Sequence, residues 1–316
     1  MTPSHLSVWS FLLPSAATRV QTAQSARDND LMHQQEWQRR RATHQRRVDT
    51  WITPHLQRRM AGERHPVEDF LFDYYRLGPA KLRQWHPGPE VVLEGESARE
   101  YLGSGRYQEV AGGVRLGPDA VGRVARTADF VLRLQRALLD RPAQFGCLGL
   151  HEWAMVYRAA PEQVRHSAYP LRLGPAGTDR VVETQQIRCS HHDAYRFFTE
   201  PARPLNPLRP ALERRIDMEQ GGCLHANMDV YKWAGKLLPA VPSELVADAF
   251  ALAREIRALD MRASPYDLTS LGYRPIAIET PEGRAEYVRL QREYAEQARP
   301  LRERLVRSCE RILREG

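Results

Sequence analysis

The sequence predicts a mainly α-helical protein with a small β portion (an α+β class), built as a single compact domain with several amphipathic helices and a short hairpin. Apolar residues recur every three or four positions through most of the long segments, which is the spacing of a buried helical face. Extended patterns are concentrated in residues 89–117, where Gly112 and Gly113 mark the turn of a hairpin. A chain of 316 residues is long enough to bury one large core.

The elements are predicted in chain order from apolar spacing and from helix-end signals. Residues 27–64 contain one or two amphipathic helices with a basic outer face. Two stretches within residues 170–189 are predicted to be extended. The other predicted helices begin near residue 66 and near residue 190, and cover residues 118–139, 149–157, 223–238, 242–259 and 279–314.

Three helix starts are predicted from capping signals. Pro66 suits a first helical position, with acidic residues in the turn that follows. Ser190 and Asp193 have the spacing of a capping box, and Ser264 with Asp267 forms a similar start further along the chain. Each of these two aspartates therefore has a structural explanation.

The composition is ordinary for a globular protein except for its basic charge. Lys and Arg number 46 against 39 Asp and Glu, a formal charge of +7, and arginine supplies nearly all of the excess. Because the planar guanidinium matches phosphate, this surplus favours DNA or another polyanion as partner. Residues 1–30 are predicted to form an N-terminal extension. Its apolar run, residues 6–17, is too short to span a bilayer, so no membrane association and a cytoplasmic location are expected.

The four cysteines are scattered along the chain, which predicts a reduced protein without a zinc-finger motif. A metal site built from Cys189, His191, Cys223 and His225 is an alternative, although the C-x-H spacing lacks the usual two-residue gap between ligands. The signatures of P-loop ATPases, dinucleotide-dependent oxidoreductases, zinc proteases and serine hydrolases are missing from the sequence. The prediction is therefore a protein that uses no metal and no other cofactor.

Residues 221–239 carry a dense group of polar side chains within otherwise apolar helical spacing. In a helix, His225 and Asp229 lie four residues apart on one face, and Asn227 and Tyr231 share the neighbouring face. Asp229 could then activate a water as general base or stabilise a cation in a transition state. The structural alternative is that Asn227 caps the helix and that the histidine and the aspartate satisfy each other in a buried network.

Two further segments combine aromatic with charged residues. Residues 64–88 hold Tyr74, Tyr75 and Trp85 close to several cationic residues, and such rings could stack on a base, although core packing is the alternative use of them. Residues 188–210 hold paired histidines followed by four prolines. The prolines enforce an extended loop, which could form the wall of a cleft.

Four long runs in the chain read HPVEDFLFDYY, RCSHHDAYRFF, GCLHANMDVYKWAGKL and LDMRASPYDLTSLGYRPIAIETPEGRAEY. These runs resemble bacterial proteins that carry the label 3-methyladenine DNA glycosylase, and the resemblance covers about residues 35–310. The chain shows neither a helix-hairpin-helix with its downstream aspartate nor the short water-activating loop of uracil-DNA glycosylases. The resemblance implies a single glycosylase-like domain over residues 31–316.

The resemblance also implies hydrolysis of an N-glycosidic bond after a modified base is turned out of double-stranded DNA. Such a reaction needs a carboxylate for the sugar cation, groups that surround the base, and cations on the flanking phosphates. The catalytic group would be supplied by Asp229, His225 and Asn227. The base would be bound by Tyr74, Tyr75, Trp85, His191, His192, Asp193, Tyr231, Trp233 and Asp267, and the phosphates by Arg196, Arg203, Lys232 and Arg262.

Several functions stay open at the level of the sequence. The glycosylase substrate could be an alkylated purine, in DNA repair, or a bulky glucosylated hydroxymethylpyrimidine of phage DNA, in antiviral defence. The polar, histidine-rich segments favour the decorated base. A non-enzymatic, helical DNA-binding protein with a buried polar network is an alternative from another class, and a small-molecule hydrolase that uses the same pocket is a third.

Overall fold

Long helices packed side by side form the centre of the structure, a computed structural model that describes residues 31–315. The predicted N-terminal extension, residues 1–30, lies outside the described residues. Numbered in chain order, the helices are α1 (Gln34–Met60), α2 (Phe70–Tyr75), α3 (Pro79–Arg83), α4 (Pro118–Asp140), α5 (Leu150–Ala154), α6 (Gly174–Thr184), α7 (His192–Tyr195), α8 (Arg215–Met218), α9 (Leu224–Lys236), α10 (Ser243–Arg262) and α11 (Pro281–Glu315).

Within residues 31–315, four strands form one small sheet in the order β1-β2-β4-β3. The strands are β1 (Leu31–Met32), β2 (Val92–Leu93), β3 (Tyr107–Val110) and β4 (Gly113–Leu116). β1 runs parallel to β2, whereas β4 is antiparallel to both β2 and β3. The predicted hairpin is β3–β4, and a Cβ on Gly113 would lie 2.1 Å from the carbonyl oxygen of Leu93, so glycine is required there.

The mainly α-helical class with a small β portion is confirmed, as is the single compact domain. α11 packs along α4, and α9 packs against both α10 and α11. α9 is buried nearly all round, which explains why its apolar residues are not confined to one stripe. Within the described residues, no helix is long and apolar enough to cross a membrane.

An aromatic cluster joins four of the helices. The ring of Phe250 on α10 lies 5.0 Å from Trp51 on α1, 5.2 Å from Phe72 on α2 and 5.0 Å from Tyr231 on α9, measured between centroids. Edge and tilted contacts of this kind add to the stabilisation by buried area. α2 is therefore fixed against the centre of the fold although it has only six residues.

The predicted helix start at Pro66 is wrong, because α2 begins at Phe70. The carboxylate of Asp69 accepts a hydrogen bond from the backbone N–H of His65 at 2.8 Å, and it also binds His55 and Arg58. These contacts hold the residues before α2 in turns.

The predicted helix start at Ser264 and Asp267 is also wrong. Asp267 accepts hydrogen bonds from the backbone N–H and the hydroxyl of Thr269 at 3.0 and 2.6 Å, and its own N–H donates to Pro170. The segment is thereby held as a turn, with only a 3₁₀ turn at Thr269–Leu271.

Two other local predictions are wrong. Residues 170–189 are not extended throughout, because α6 occupies Gly174–Thr184 and buries Val181 and Val182 on one face. Ser190 does not cap α7, whose N-cap is His191. The carboxylate of Asp193 binds Arg215 and Lys232 on other helices and does not cap the backbone N–H groups of its own helix.

Candidate functional site

The polar side chains of α9 are positioned by a tight start to the helix. Cys223 is the N-cap, so Asn227 does not cap the helix as the structural alternative proposed. A Cβ on Gly222 would lie 2.3 Å from the carbonyl oxygen of Gln144, so only glycine lets the loop before α5 pack this closely. α9 is thus buried from its first turn, and its polar residues face other elements of the protein.

Five charged residues, Asp193, Arg215, Glu219, Asp229 and Lys232, form a group that we call the ion-pair cluster. The Lys232 Nζ lies 2.7 Å from Asp193 Oδ2 and 2.8 Å from Asp229 Oδ2. The Arg215 Nη2 lies 2.5 Å from Asp193 Oδ2. The cluster therefore links α7, α8 and α9 by buried charge pairs, which need such partners because unpaired buried charges are costly.

Asp229 lies at the buried end of the cluster. Its Oδ1 accepts a hydrogen bond from the Tyr75 hydroxyl at 3.0 Å, and its Oδ2 pairs with Lys232. Burial alone would raise the pKa of Asp229, but Lys232 and His191 lower it well below its ordinary value. Asp229 is therefore an ionised carboxylate with both oxygens engaged.

Lys232 is held between two carboxylates and remains a cation. Burial alone would lower its pKa, but Asp229 and Asp193 raise it above the ordinary value. The ammonium also lies over the Trp233 ring, 4.6 Å from its centroid. Lys232 thus presents a fixed positive charge.

His191 and Glu219 complete the buried end of the site. The His191 Nε2 lies 3.4 Å from Asp229 Oδ2 and 3.5 Å from Glu219 Oε1. Both ring nitrogens of His191 and both oxygens of Glu219 lack a hydrogen-bond partner among the described residues. Burial raises the pKa of Glu219.

His191, Glu219 and Asp229 have the ligand types and the closeness of a metal site. Lys232 and Arg215, however, direct positive charge at the same carboxylates. These two residues supply the counter-charge that a metal ion would otherwise supply.

His225 belongs to a second buried group, with His151 and Asp260. The His151 Nε2 lies 2.9 Å from Asp260 Oδ1, and the His225 ring lies edge-on to His151 with centroids 4.5 Å apart. Burial and the neighbouring His151 lower the pKa of His225 to about 3. His225 is therefore neutral, and its ring centroid lies 5.4 Å from that of His191 in the other group.

Asn227 has a structural role in the fold. Its Nδ2 donates to the carbonyl oxygen of Gly221 at 3.1 Å, and its Oδ1 accepts a hydrogen bond from Arg302 at 2.7 Å. These bonds fix the start of α9 against α11. The structure does not bring Asn227 into the ion-pair cluster, although the sequence grouped it with Asp229.

A cavity of about 330 Å³, which we call the lysine cleft, opens next to the ion-pair cluster. Tyr75 and Tyr231 line it, so the residue that donates to Asp229 also faces the cavity. Among its described lining residues none is a carboxylate. Its cationic lining residues are Arg76, Lys81, Arg106, Lys232 and Lys236.

The lysine cleft contains every lysine of the protein. Of the 46 basic residues in the chain only three are lysines, and these are Lys81, Lys232 and Lys236. Arginine is the ordinary surface cation of this protein. The concentration of lysine in one cavity therefore indicates a chemical use of the amine or of its compact charge.

A larger cavity of about 800 Å³, the arginine cleft, lies on the other side of α2. Its cationic residues are Arg64, Arg76, Arg165 and Arg196, and its aromatic residues are Phe70, Tyr74, Tyr169 and Phe197. The guanidinium groups of Arg165 and Arg196 lie 5.1 and 4.5 Å from the centroid of the Phe197 ring. Such interleaved cations and rings are typical of surfaces that bind nucleic-acid strands.

Arg76 belongs to both clefts. It ends α2 in the left-handed conformation, with φ 55° and ψ 20°, which a residue with a Cβ rarely adopts. Strain of this kind persists where the surrounding structure enforces it, and it is common at functional sites. Tyr74 and Tyr75, the last two residues of α2, point in different directions because they are consecutive in a helix, and Tyr74 lines the arginine cleft whereas Tyr75 lines the lysine cleft.

Many of the predicted residues come together in space. Asp229, Lys232, Tyr75, Tyr231, Trp233, His191 and Asp193 lie in or next to the ion-pair cluster, His192 contacts Asp193, and Tyr74 and Arg196 line the arginine cleft.

Other predicted residues lie elsewhere. Trp85 is a core residue whose Nε1 donates to Glu244, and Asp267 forms the turn with Thr269. Arg203 is exposed and lines neither cleft. Arg262 binds the carbonyl oxygen of Arg274 and pairs with Glu286. The structure therefore brings none of these four residues to the candidate site.

The alternative zinc site is not assembled either. Among the described residues, the metal-like groups contain His191 and His225 separately, and neither group includes a cysteine. Cys189 and Cys223 are buried as free thiols. They behave as small apolar residues of the core.

Sequence reasoning missed several residues of the site. Arg215 and Glu219 lie in a charged stretch that resembles an exposed helix, and nothing local distinguishes them. Lys236 could have been found from composition, because a lysine is rare in this chain. Nothing in the sequence distinguishes Arg165 from the many other arginines of the chain.

Comparison with protein-family models, with curated proteins and with solved structures yields no match for this chain. The two clefts and the ion-pair cluster next to the lysine cleft are therefore the features of this protein that bear on its function.

Proposed function

We propose that the protein is a DNA glycosylase, which hydrolyses the N-glycosidic bond of a modified base turned out of double-stranded DNA and leaves an abasic site. The observation that carries the proposal is the position of Lys232. Its ammonium is fixed by Asp193 and Asp229 at the wall of a cavity whose size lies within the range of small-ligand sites. A DNA substrate would place the protein in the cytoplasm.

The arginine cleft supports the binding of the DNA strand in this proposal. Arginines contact phosphates, and the exposed ring of Phe197, which two guanidinium groups flank, can stack on a neighbouring base. The strand would then cross α2 near Arg76, so that one nucleotide enters the lysine cleft.

Lys232 would act on the departing base. When the glycosidic bond breaks, negative charge develops on the base, and a fixed ammonium at that position lowers the energy of the transition state. Asp229 does not line either cleft, and both its oxygens are engaged by Tyr75 and Lys232. In this proposal Asp229 is a positioning residue that holds Lys232, and it replaces the predicted role as general base.

The carboxylate that faces the sugar cation would be Asp73. It is exposed on α2 and lines the arginine cleft, and no ion pair occupies it among the described residues. An ionised carboxylate at this position can orient a water toward the sugar. Asp73 and Lys232 would then act on opposite sides of the bond that breaks.

The charge of the lysine cleft favours one of the two substrate classes. An alkylated purine carries positive charge, which the five cations of the cleft would repel. A neutral, sugar-decorated pyrimidine instead offers hydroxyl oxygens that accept hydrogen bonds from lysine and arginine. We therefore propose a glucosylated hydroxymethylpyrimidine as the preferred base, which implies a role in defence against phage DNA.

The test is direct detection of a released base. Alkylated DNA, uracil-containing DNA and phage DNA with glucosylated hydroxymethylcytosine are incubated with the protein, and the products are analysed by mass spectrometry. Release of the glucosylated base with matching abasic sites is expected. Release from the alkylated DNA alone would contradict the substrate assignment, and release from none of the three DNAs would contradict the glycosylase proposal.

A further inference from the structure

The use of lysine in the lysine cleft points to amine chemistry. Only three of the 46 basic residues are lysines, and all three line this cavity. Arginine would supply the same positive charge, and the protein uses it almost everywhere else. What lysine adds is an amine that can lose its proton and form a carbon–nitrogen bond.

Lys232 is not suited to that reaction. Its Nζ is bound by two carboxylates at 2.7 and 2.8 Å, and they hold it in the charged form. An ammonium has no free electron pair, so Lys232 can bind and polarise but cannot attack a carbonyl carbon.

Lys236 is placed differently. It lies one turn after Lys232 on α9, is exposed, and pairs with no carboxylate among the described residues. Its Nζ lies 5.1 Å from the centroid of the same Trp233 ring that Lys232 contacts. Partial burial, and then Lys232 and Arg215, lower the pKa of Lys236. A lysine next to another cation is an established arrangement for an amine nucleophile.

We propose that Lys236 captures the abasic product by forming a Schiff base with C1′ of the deoxyribose. The lone pair of Nζ attacks the carbon of the open-chain aldehyde. The two amine hydrogens then leave with the aldehyde oxygen as water, and a C=N bond joins the DNA to the protein. The step needs no oxidant or reductant. It rests on the proposed function only in that abasic DNA is the product of that function.

The experiment uses DNA that already contains an abasic site, so that base release is not required. The full-length protein is incubated with this DNA and cyanoborohydride, which reduces an imine to a stable amine. The conjugate is digested and its position is found by mass spectrometry. The mapping is clear because the chain has only three lysines, and its α-amino group is the one other primary amine of comparable reactivity.

The expected result for the wild-type protein is a conjugate on Lys236. In Lys236→Arg, which keeps the positive charge and removes the amine, the yield of conjugate should fall to the level of the reagent blank. Lys81→Arg, the matched change at another lysine of the cleft, should still yield the conjugate. A conjugate on Lys81, Lys232 or the α-amino group, or no conjugate at saturating DNA, would overturn the proposal. A conjugate on Lys236 would support it even if no modified base were released, in which case the glycosylase proposal alone would fail.

Discussion

At the scale of single residues, the site combines charged side chains that are held in buried ion pairs with charged side chains that pair with no other residue of the described chain. Asp229 has a side chain that is 2 % exposed, and it shares Lys232 with Asp193. Removing Asp229 would leave Lys232 paired with Asp193 alone among the described residues, and weakening the compensation of a buried charge costs more than the pair contributes. Asp229 should therefore matter for stability as well as for activity.

Asp229→Asn should lower the free energy of unfolding by about 3–5 kcal/mol, the usual cost of breaking a buried pair. The change in the free energy of unfolding is measured by urea denaturation. Asp248→Asn is the matched control, because Asp248 pairs with Arg47 and Arg304 and its side chain is 29 % exposed, and exposed pairs contribute about 0–1 kcal/mol. Equal losses in the two variants would contradict the buried ion-pair cluster.

The buried histidine beside the cluster should make stability depend on pH. His225 is neutral in the folded protein, with a pKa of about 3, against 6.5 for an ordinary histidine. As pH falls from 6.5 toward 3, only the unfolded chain takes up this proton, so the free energy of unfolding decreases. The lowered pKa of Asp229 contributes stability that is fully present above pH 3.8 and is lost below it, so it overlaps only the acidic end of the His225 range.

His225→Gln should flatten the fall in stability over that pH range. The measurement is the free energy of unfolding from urea titrations at several pH values for the variant and the wild-type protein. Two curves that stay parallel below pH 6.5 would show that His225 takes up its proton in the folded state as well.

The polar face of α9 could be predicted from the sequence, because His225, Asp229 and Lys232 follow one another at helical spacing. The separate roles of these three residues could not be predicted from the sequence. Arg215 and Glu219 reach the same place from α8 and its end, and Asp193 on α7 helps to hold Lys232. His225 belongs instead to a group with His151 on α5 and Asp260 on α10, and only the packing of these helices shows this.

At the scale of elements, α2 is the wall between the two clefts. It presents Tyr74 to the arginine cleft and Tyr75 to the lysine cleft, and Arg76 at its end lines both. The left-handed backbone of Arg76 is strained, since its Cβ approaches the following carbonyl oxygen. The protein keeps this strain at the point where the proposed DNA path crosses α2.

Arg76→Gly should stabilise the fold by up to about 1 kcal/mol, because glycine adopts a positive φ without the steric cost, and it should weaken DNA binding. Arg158→Gly is the control, since Arg158 has φ 50° but lines neither cleft. Denaturation and fluorescence anisotropy with labelled DNA measure the two effects. Equal DNA affinity in the two variants would contradict the role of Arg76.

Long helices were predictable, whereas helix starts were not. α4, α10 and α11 have continuous apolar stripes, and α9 has apolar residues at helical spacing, so these helices could be predicted without knowledge of their contacts. The starts predicted at Pro66 and Ser190 failed because Asp69 and Asp193 bind partners on other helices. A capping signal is local, and a buried cation from another helix competes successfully for the carboxylate.

At the scale of the whole molecule, the charge of +7 is unevenly distributed. Many surface arginines pair with carboxylates, such as Arg289 with Glu293, whereas the two clefts concentrate cations with a single lining carboxylate, Asp73, among their described residues. The total charge predicted a polyanion as partner. The place where that partner would bind depends on the fold.

DNA affinity should fall steeply with added salt, because counterions are released when phosphates are neutralised. Arg165→Gln should reduce the slope of log K against log salt by about one, the effect of one phosphate contact. Arg289→Gln should leave the slope unchanged, since Arg289 lies on α11 in an ion pair with Glu293. Identical slopes in the two variants would contradict DNA binding in the arginine cleft.

The most direct test of the account is the single-turnover rate of base release from DNA with glucosylated hydroxymethylcytosine, measured for wild-type protein and for Lys232→Gln at saturating protein. If Lys232 stabilises the departing base, the rate should fall by about 100-fold or more. A Lys232→Gln rate within a factor of about three of the wild-type rate, less than the effect of one transition-state hydrogen bond, would contradict it.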